Sequence, residues 1–288
     1  MIIPNFLIIG AQKAGTTSLY YYLNQHPQIY MSYVKEPRFF APEFYTAPNK
    51  VRPPKRKSPL TWEEYCYLFK DVSNEIAIGE ASTDYLHLSK APERIKKTIP
   101  EVKLIVILRN PVERAFSAYC YQVRDGYENL SFAEAIKEEE KGTRDYKKLG
   151  FYYSQLKRYY DIFDRSQIKI YLNEDLNSNP DLVLQDIFRF LGVNCEFQPE
   201  YTKKNISGVP KNRFLHNIFL KENIIKETLK PLFSKELRQL IHSTVRKHNL
   251  RNKPAFPVEK RHKLIETYRE DILKLQDLIQ QDLSHWLE

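Results

Sequence analysis

The stretch FLIIGAQKAGTTSLYYYL (6–23) decides how this chain is read. A continuous apolar run enters a loop of Gly, Lys and Thr and leaves it as a helix-like segment. That is the order of a phosphate-binding strand, loop and helix. In a nucleoside triphosphatase the loop reads G-x-x-x-x-G-K-[ST]. Its backbone N–H groups cradle phosphate, the lysine reaches the β/γ pair, and the hydroxyl meets magnesium. Here Gly10 and Gly15 keep that separation, but Thr16 takes the lysine position, Thr17 the hydroxyl position, and Lys13 stands inside the loop. A lysine so placed reaches a phosphate at the helix start without bridging a triphosphate chain. The spacing asks for one phosphate and the group next to it.

A second departure lies in KLIVILRNP (103–111), an apolar strand ending in Arg109 and Asn110, with no aspartate at its tip to hold magnesium. Arg109 and, about two helical turns on, Ser117 offer a guanidinium fork and a hydroxyl to a second, separate phosphate. Two isolated anion sites without a metal-holding acid point away from ATP. The plain alternatives are a structural strand-loop-helix and a surface ion pair at Arg109; the two features together favour the anion reading.

Around these motifs, strand-like runs at 6–9, 76–78, 103–108 and 168–172 alternate with longer amphipathic segments. The alternation predicts a single α/β domain over 1–288, with a central parallel β-sheet flanked by helices in P-loop NTPase-like topology. Near-continuous apolar strands suit a sheet covered on both faces. Helices are expected at 16–25, 62–69, 92–98, 111–124, 132–141, 152–163 and 181–191, with Pro92 and Pro111 where a first turn tolerates proline. A long amphipathic helix is expected over 258–287. The stretch 41–59, rich in Pro, Lys and Arg, reads as a mobile surface loop, either a solvated excursion or a lid. The run Glu138, Glu139, Glu140, Lys141 reads as a solvated helix face, and His26, beside Pro27, as a residue that caps or packs at a helix end.

The chain has 288 residues, a formal net charge of +9 and three cysteines, Cys66, Cys120 and Cys195. The charge favours an anionic partner without naming it. The odd cysteine set, without C-x-x-C, reads as reduced thiols rather than a zinc site or disulfide framework. No apolar run approaches the ~20 residues of a membrane helix, and the N-terminus enters a strand at once. A soluble, cytoplasmic protein with no transmembrane segment is the expectation. The basic residues are interspersed with acidic ones and no nucleic-acid motif is present, so no nucleic-acid partner is expected.

The motif pair resembles the sulfotransferases that use 3'-phosphoadenosine 5'-phosphosulfate (PAPS), particularly the heparan sulfate sulfotransferase type and its bacterial relatives. FLIIGAQKAGTTSL is similar to that family's 5'-phosphosulfate loop and VILRNPVERAFSAYCY (106–121) to its 3'-phosphate motif. Further similar stretches are YVKEPRFF (33–40), GEASTDYL (79–86), YLNEDLNSNPDLVLQDIFRFLGV (171–193), KKNISGVPKNRFL (203–215) and the closing DLSHWL (282–287). The resemblance implies PAPS as donor, adenosine 3',5'-bisphosphate (PAP) as product, no metal, and sulfuryl transfer to an acceptor hydroxyl or amine. It places Lys13, Ala14, Gly15, Thr16, Thr17 and Ser18 around the 5'-phosphosulfate, and Arg109 and Ser117 on the 3'-phosphate. Lys203, Lys204, Ser207 and Lys211 fall in the segment that covers the nucleotide.

Two catalytic residues follow. Lys13 is expected to meet the charge that develops on the bridging oxygen. Glu36 is expected to be the base that takes the acceptor proton. The resemblance puts the family's catalytic glutamate at this position, against the plain alternative of an exposed glutamate paired with Lys35 or Arg38. Arg38, Phe39, Glu80 and Tyr85 are the candidates for contact with a carbohydrate, glycolipid or small-molecule acceptor. Arg38 stands where polysaccharide-modifying members often have histidine, and Ala81 where they often have lysine. A P-loop small-molecule kinase and a non-catalytic nucleic-acid-binding protein are the competing readings. The first lacks its lysine and metal acid, the second its motif.

Overall fold

Phe6, Leu7, Ile8 and Ile9 in β1 (Phe6–Gly10) have no exposed surface, nor do Leu104 to Leu108 in the neighbouring β4 (Lys103–Leu108). Strands buried on both faces have no polar side to present, and such strands need helices above and below. The computed structural model, which describes residues 2–46, 60–142, 144–201, 209–210, 250–251, 256 and 258–288, supplies them.

With β2 (Ile29–Met31), β3 (Ala77–Ala81) and β5 (Ile168–Leu172), the strands form one parallel sheet in the order β2-β3-β1-β4-β5. From β1 the chain passes through α1 (Thr16–Leu23) to the β2 edge, returns to β3, then crosses β1 to β4 and β5. Strand order therefore reverses around β1, and loops at the carboxyl ends of such strands open a crevice there. The result is a single α/β domain with P-loop-like topology.

Local chemistry fixes the elements that matter for the site. Helix α5 (Pro111–Arg124) starts where Asn110 Oδ1 accepts from the N–H groups of Val112 and Glu113 at 3.0 and 3.4 Å, with proline at the first helical position. At Gly79 a Cβ would lie 2.3 Å from the Phe6 ring, so only glycine lets β3 pack against β1. Strand β3 runs to Ala81, beyond the expected 76–78, because Gly79, Glu80 and Ala81 pair with Phe6, Leu7 and Ile8. Gly and Glu are poor strand residues, and tertiary packing overrides their preference.

Strand β2 and helix α2 (Glu43–Thr46) did not stand out in the sequence, being too short for periodicity to show. Helices α3 (Trp62–Tyr67), α4 (Ala91–Thr98), α6 (Phe132–Glu138) and α7 (Tyr152–Tyr160) lie within or one residue outside their expected spans. After β5 come α8 (Asn173–Ser178), also unanticipated, and α9 (Pro180–Leu191). The closing helix α10 (Val258–Ile279) is shorter than expected. Gln280 turns left-handed at φ 54°, and Ser284–Leu287 forms a 3-10 turn that buries Trp286.

Glu139 is not solvated as expected. It is buried and accepts the N–H groups of Lys147 and Lys148 at 2.6 and 2.7 Å. His26 packs as expected, with Nε2 2.9 Å from the Asn194 carbonyl. Residues 47–59 of the proline-rich stretch lie outside the described residues, as do Lys203, Lys204, Ser207 and Lys211.

Candidate active site

The loop between β1 and α1 is braced from two other strand ends. Arg109 Nη1, just past β4, donates to the Lys13 carbonyl at 3.3 Å, and Asn173 Nδ2, just past β5, donates to the Ala14 carbonyl at 2.8 Å. Lys13 has φ 69° and Gly15 φ 105°. A left-handed lysine is uncommon and persists where its surroundings dictate it, as these two hydrogen bonds do. Thr16 is buried, Thr17 and Ser18 are half-buried, and the first turn of α1 contains no acid. Its leading N–H groups lack intrahelical partners, and the helix dipole adds positive potential at the same place. The Lys13 ammonium rests over the Tyr121 ring, 3.8 Å from its centroid. The site's donors are thus all suited to an anion.

Beside it, Arg109 Nη2 lies 3.7 Å from Glu113, which Arg261 on α10 also holds at 2.6 Å. Ser117 is one further turn along α5 from Glu113 and nearly buried. The strand tip beneath is anchored by the C-terminal segment. Asn110 Nδ2 donates to the Trp286 carbonyl at 3.3 Å, and Trp286 Nε1 to Glu174 at 2.6 Å. Tyr152 donates to the Arg109 carbonyl at 3.0 Å.

On the other side of β1, residues 33–40 turn over the end of β3. The Glu36 N–H donates to the Ala81 carbonyl at 2.9 Å and the Arg38 N–H to Ser82 Oγ at 3.0 Å. Glu36 and Arg38 are both left-handed, at φ 62° and 56°. Among the described residues four non-glycine residues have left-handed φ, and three of them are Lys13, Glu36 and Arg38. Such strain clusters at functional sites because it aims side chains that relaxed backbone would not.

The Glu36 carboxylate, 24% exposed, accepts from Lys35 Nζ at 3.2 Å, from the Thr83 hydroxyl at 3.3 Å and from Arg38. The pairing partners anticipated for an ordinary glutamate are therefore both present, but on a strained, tethered turn. Arg38 is divided between Glu36 and Asp84, whose Oδ2 lies 2.5 Å from Nε, and it also stacks on Phe44 at 3.9 Å. Burial works against the guanidinium charge, and the two carboxylates outweigh it. Phe39 stacks on Tyr65 at 4.5 Å and forms one wall of this turn.

Glu80 and Tyr85, expected at the acceptor surface, are instead fully buried. Glu80 faces Leu7 across the ladder, and its Oε1 accepts from Tyr65 at 3.5 Å while Oε2 makes no hydrogen bond. The Tyr85 hydroxyl accepts from the Phe40 N–H at 3.4 Å, and Tyr65, which donates to Glu80, stacks on Phe39, so both residues back the 33–40 turn. Burial is the main cause that pushes the Glu80 carboxyl up to about 7. The nearby Tyr85 and Ser82 hydroxyls pull it down in part, and the Glu36 charge adds to the rise.

The folded state thus binds this proton more tightly than the unfolded chain. The corresponding stability, on the order of 3 kcal/mol, is complete below the ordinary glutamate value and lost as pH rises through about 7. Urea unfolding at pH 5 and pH 8 should therefore show a decline in stability that Glu80→Gln largely removes. Asp271, pushed up to about 6 by burial, leaves a smaller decline of the same sign. An unchanged decline in Glu80→Gln would contradict this assignment.

Several site residues were not singled out from the sequence. Asn173 and Tyr121 touch the loop directly, and Thr83 and Asp84 hold the Glu36 turn. Each sits inside a stretch that carries the resemblance, but only the fold shows which way it points.

The model of the sulfotransferase family matches residues 4–198. Bifunctional heparan sulfate N-deacetylase/N-sulfotransferase 4 of Mus musculus is 31% identical over 209 residues, covering 68% of this chain and 23% of that protein. The N-deacetylase/N-sulfotransferase 3 of Homo sapiens is 31% identical over 205 residues, covering 66% and 22%. The chain therefore spans less than a quarter of the length of these curated relatives. The crystal structure of a sulfotransferase from Alicyclobacillus acidocaldarius superposes with a TM-score of 0.73 at 31% identity, covering 100% of both chains. With the displaced lysine, the arginine and the strained glutamate at the carboxyl end of one sheet, these similarities place the chain in the sulfotransferase family.

Proposed function

We propose that this chain moves a sulfuryl group from PAPS to the hydroxyl, or amine, of an acceptor that is a carbohydrate, a glycolipid or a small metabolite. The observation that carries this reading is the joining of Lys13 and Arg109 at an acid-free helix start, through the 3.3 Å hydrogen bond from Arg109 to the Lys13 carbonyl. One cation would serve a phosphate at the loop and the other a second phosphate beside it, which suits a nucleotide phosphorylated at two separated positions. The donor set fits such a ligand. The N–H groups of Gly15, Thr16, Thr17 and Ser18 and the Lys13 ammonium would hold the 5'-phosphosulfate, and Arg109 and Ser117 the 3'-phosphate. Lys203, Lys204, Ser207 and Lys211 would cover the nucleotide. The names of the heparan sulfate relatives favour carbohydrate among the acceptor classes.

When bound, the donor supplies an activated sulfuryl group with a phosphate leaving group. Glu36 takes the proton of the attacking hydroxyl, held at the end of β3 by the Ala81 carbonyl and Thr83. Lys13 meets the negative charge on the departing oxygen, where a preorganised cation acts without reorganisation. Arg109 and Ser117 fix the nucleotide so that nucleophile and leaving group lie in line.

Screening acceptor classes with sulfur-labelled PAPS and chelator tests the proposal. Labelled product from at least one hydroxyl or amine class is expected. Phosphoryl transfer from ATP with no sulfuryl transfer from any class would overturn it. Binding should respond separately. Losing a charge-assisted hydrogen bond costs about 1.5–3 kcal/mol, so Arg109→Ala should weaken PAP affinity roughly 10- to 100-fold. Ser117→Ala, losing a neutral one, should weaken it no more than about tenfold. Titration calorimetry reads both, and wild-type affinity in Arg109→Ala would remove that residue from the phosphate site.

A further inference from the structure

We propose that Tyr121 is a positioning residue for Lys13, its ring holding the lysine ammonium at the phosphosulfate loop; this rests on the sulfotransferase reading above. The backbone of Lys13 is already fixed. Its φ is 69°, its carbonyl takes the Arg109 hydrogen bond, and the next carbonyl takes that of Asn173. The ammonium sits at the end of a four-carbon stem, and a lysine stem has many rotamers. The Tyr121 ring lies 3.8 Å below the ammonium, within the range where a ring face attracts a cation.

Tyr121 is itself held. Arg124 stacks on the same ring at 4.6 Å and is paired with Asp125 at 3.1 Å, so the ring belongs to a fixed cluster at the end of α5. Because Tyr121 follows Ser117 by four residues, both lie on one face of α5. A single helix face thereby offers the hydroxyl for the 3'-phosphate and the ring that sets the lysine serving the 5' end. The ring acts through Lys13 and touches neither the acceptor proton nor Glu36.

Three variants of the full chain, Tyr121→Leu, Tyr121→Phe and Lys13→Ala, test the inference by turnover of labelled PAPS and calorimetric affinity for PAP. Misplacement of a catalytic group lowers turnover by roughly ten- to a hundredfold, and Tyr121→Leu should show such a loss with PAP affinity within about twofold of wild type. Tyr121→Phe, which keeps the ring, should restore most of that turnover. With lysine labelled by carbon-13 at Cε, the ring-current shift of Lys13 should persist in Tyr121→Phe and vanish in Tyr121→Leu. Wild-type turnover or an unmoved Lys13 signal in Tyr121→Leu, with Lys13→Ala inactive, would overturn the inference and leave the sulfotransferase reading standing. Equal loss in Tyr121→Phe and Tyr121→Leu would also overturn it. Full turnover in Lys13→Ala would remove the catalytic role of Lys13, and the inference with it.

Discussion

Glu36→Gln is expected to lower sulfuryl transfer by roughly 10²- to 10⁴-fold, the range a positioned general base contributes, while PAP binds as in the wild type. Glutamine has the same length, so the geometry survives. Thr83 can still donate to its carbonyl oxygen, and Arg38 retains Asp84. The left-handed backbone at φ 62° is no more strained with glutamine than with glutamate. What is lost is the capacity to accept a proton. Arg109 and Ser117 follow β4, across β1 from this turn, and the α1 N-terminus follows β1 itself, so nucleotide affinity has no reason to fall. Transfer rates with an identified acceptor, set beside calorimetric PAP titration, separate the two effects. Undiminished turnover would mean that another group takes the proton. Parallel loss of turnover and PAP affinity would mean that the turn supports the whole site rather than its chemistry.

Lys13→Met carries the second large effect. The methionine keeps an apolar stem of similar length, so the contact with Tyr121 loses its charge but not its bulk. Removing one preorganised stabiliser of developing charge costs about 10²- to 10³-fold in turnover. Affinity for PAP should fall less, because the lysine's interaction grows as charge moves to the bridging oxygen and is only partly realised in the ground state. A drop confined to affinity, with turnover preserved at saturation, would reduce Lys13 to a binding residue.

The sequence was most informative where a motif and a regular element coincide. The strands at 103–108 and 168–172 and the helix at 111–124 match the observed bounds, because long apolar runs and a proline-started helix are local signals. The strand β2 and helix α8 escaped because three to six residues cannot display a period. The sequence could name Lys13, Glu36 and Arg109 through motif position, but not their arrangement. The left-handed φ at Lys13, Glu36 and Arg38 belongs to residue types that ordinarily avoid it, and it arises from contacts with distant strand ends. Glu80 shows the opposite limit. A charged residue in a motif beside the Glu36 turn reads as a ligand contact, and only the pairing of Glu80 with Leu7, inside a sheet that Gly79 lets close against Phe6, shows why it is buried.

In the proposed function Lys13 and Arg109 mark a site for a nucleotide with separate 5' and 3' phosphates. Calorimetric titration of the wild-type chain with PAP in the presence of chelator, against ATP with magnesium, tests it most directly. Saturable PAP binding without metal, at least about tenfold tighter than ATP–magnesium and weakened by Arg109→Ala, is the expected result, since one lost charge-assisted contact is worth about that factor or more. Equal or tighter binding of ATP–magnesium, with PAP affinity unaffected by Arg109→Ala, would contradict it.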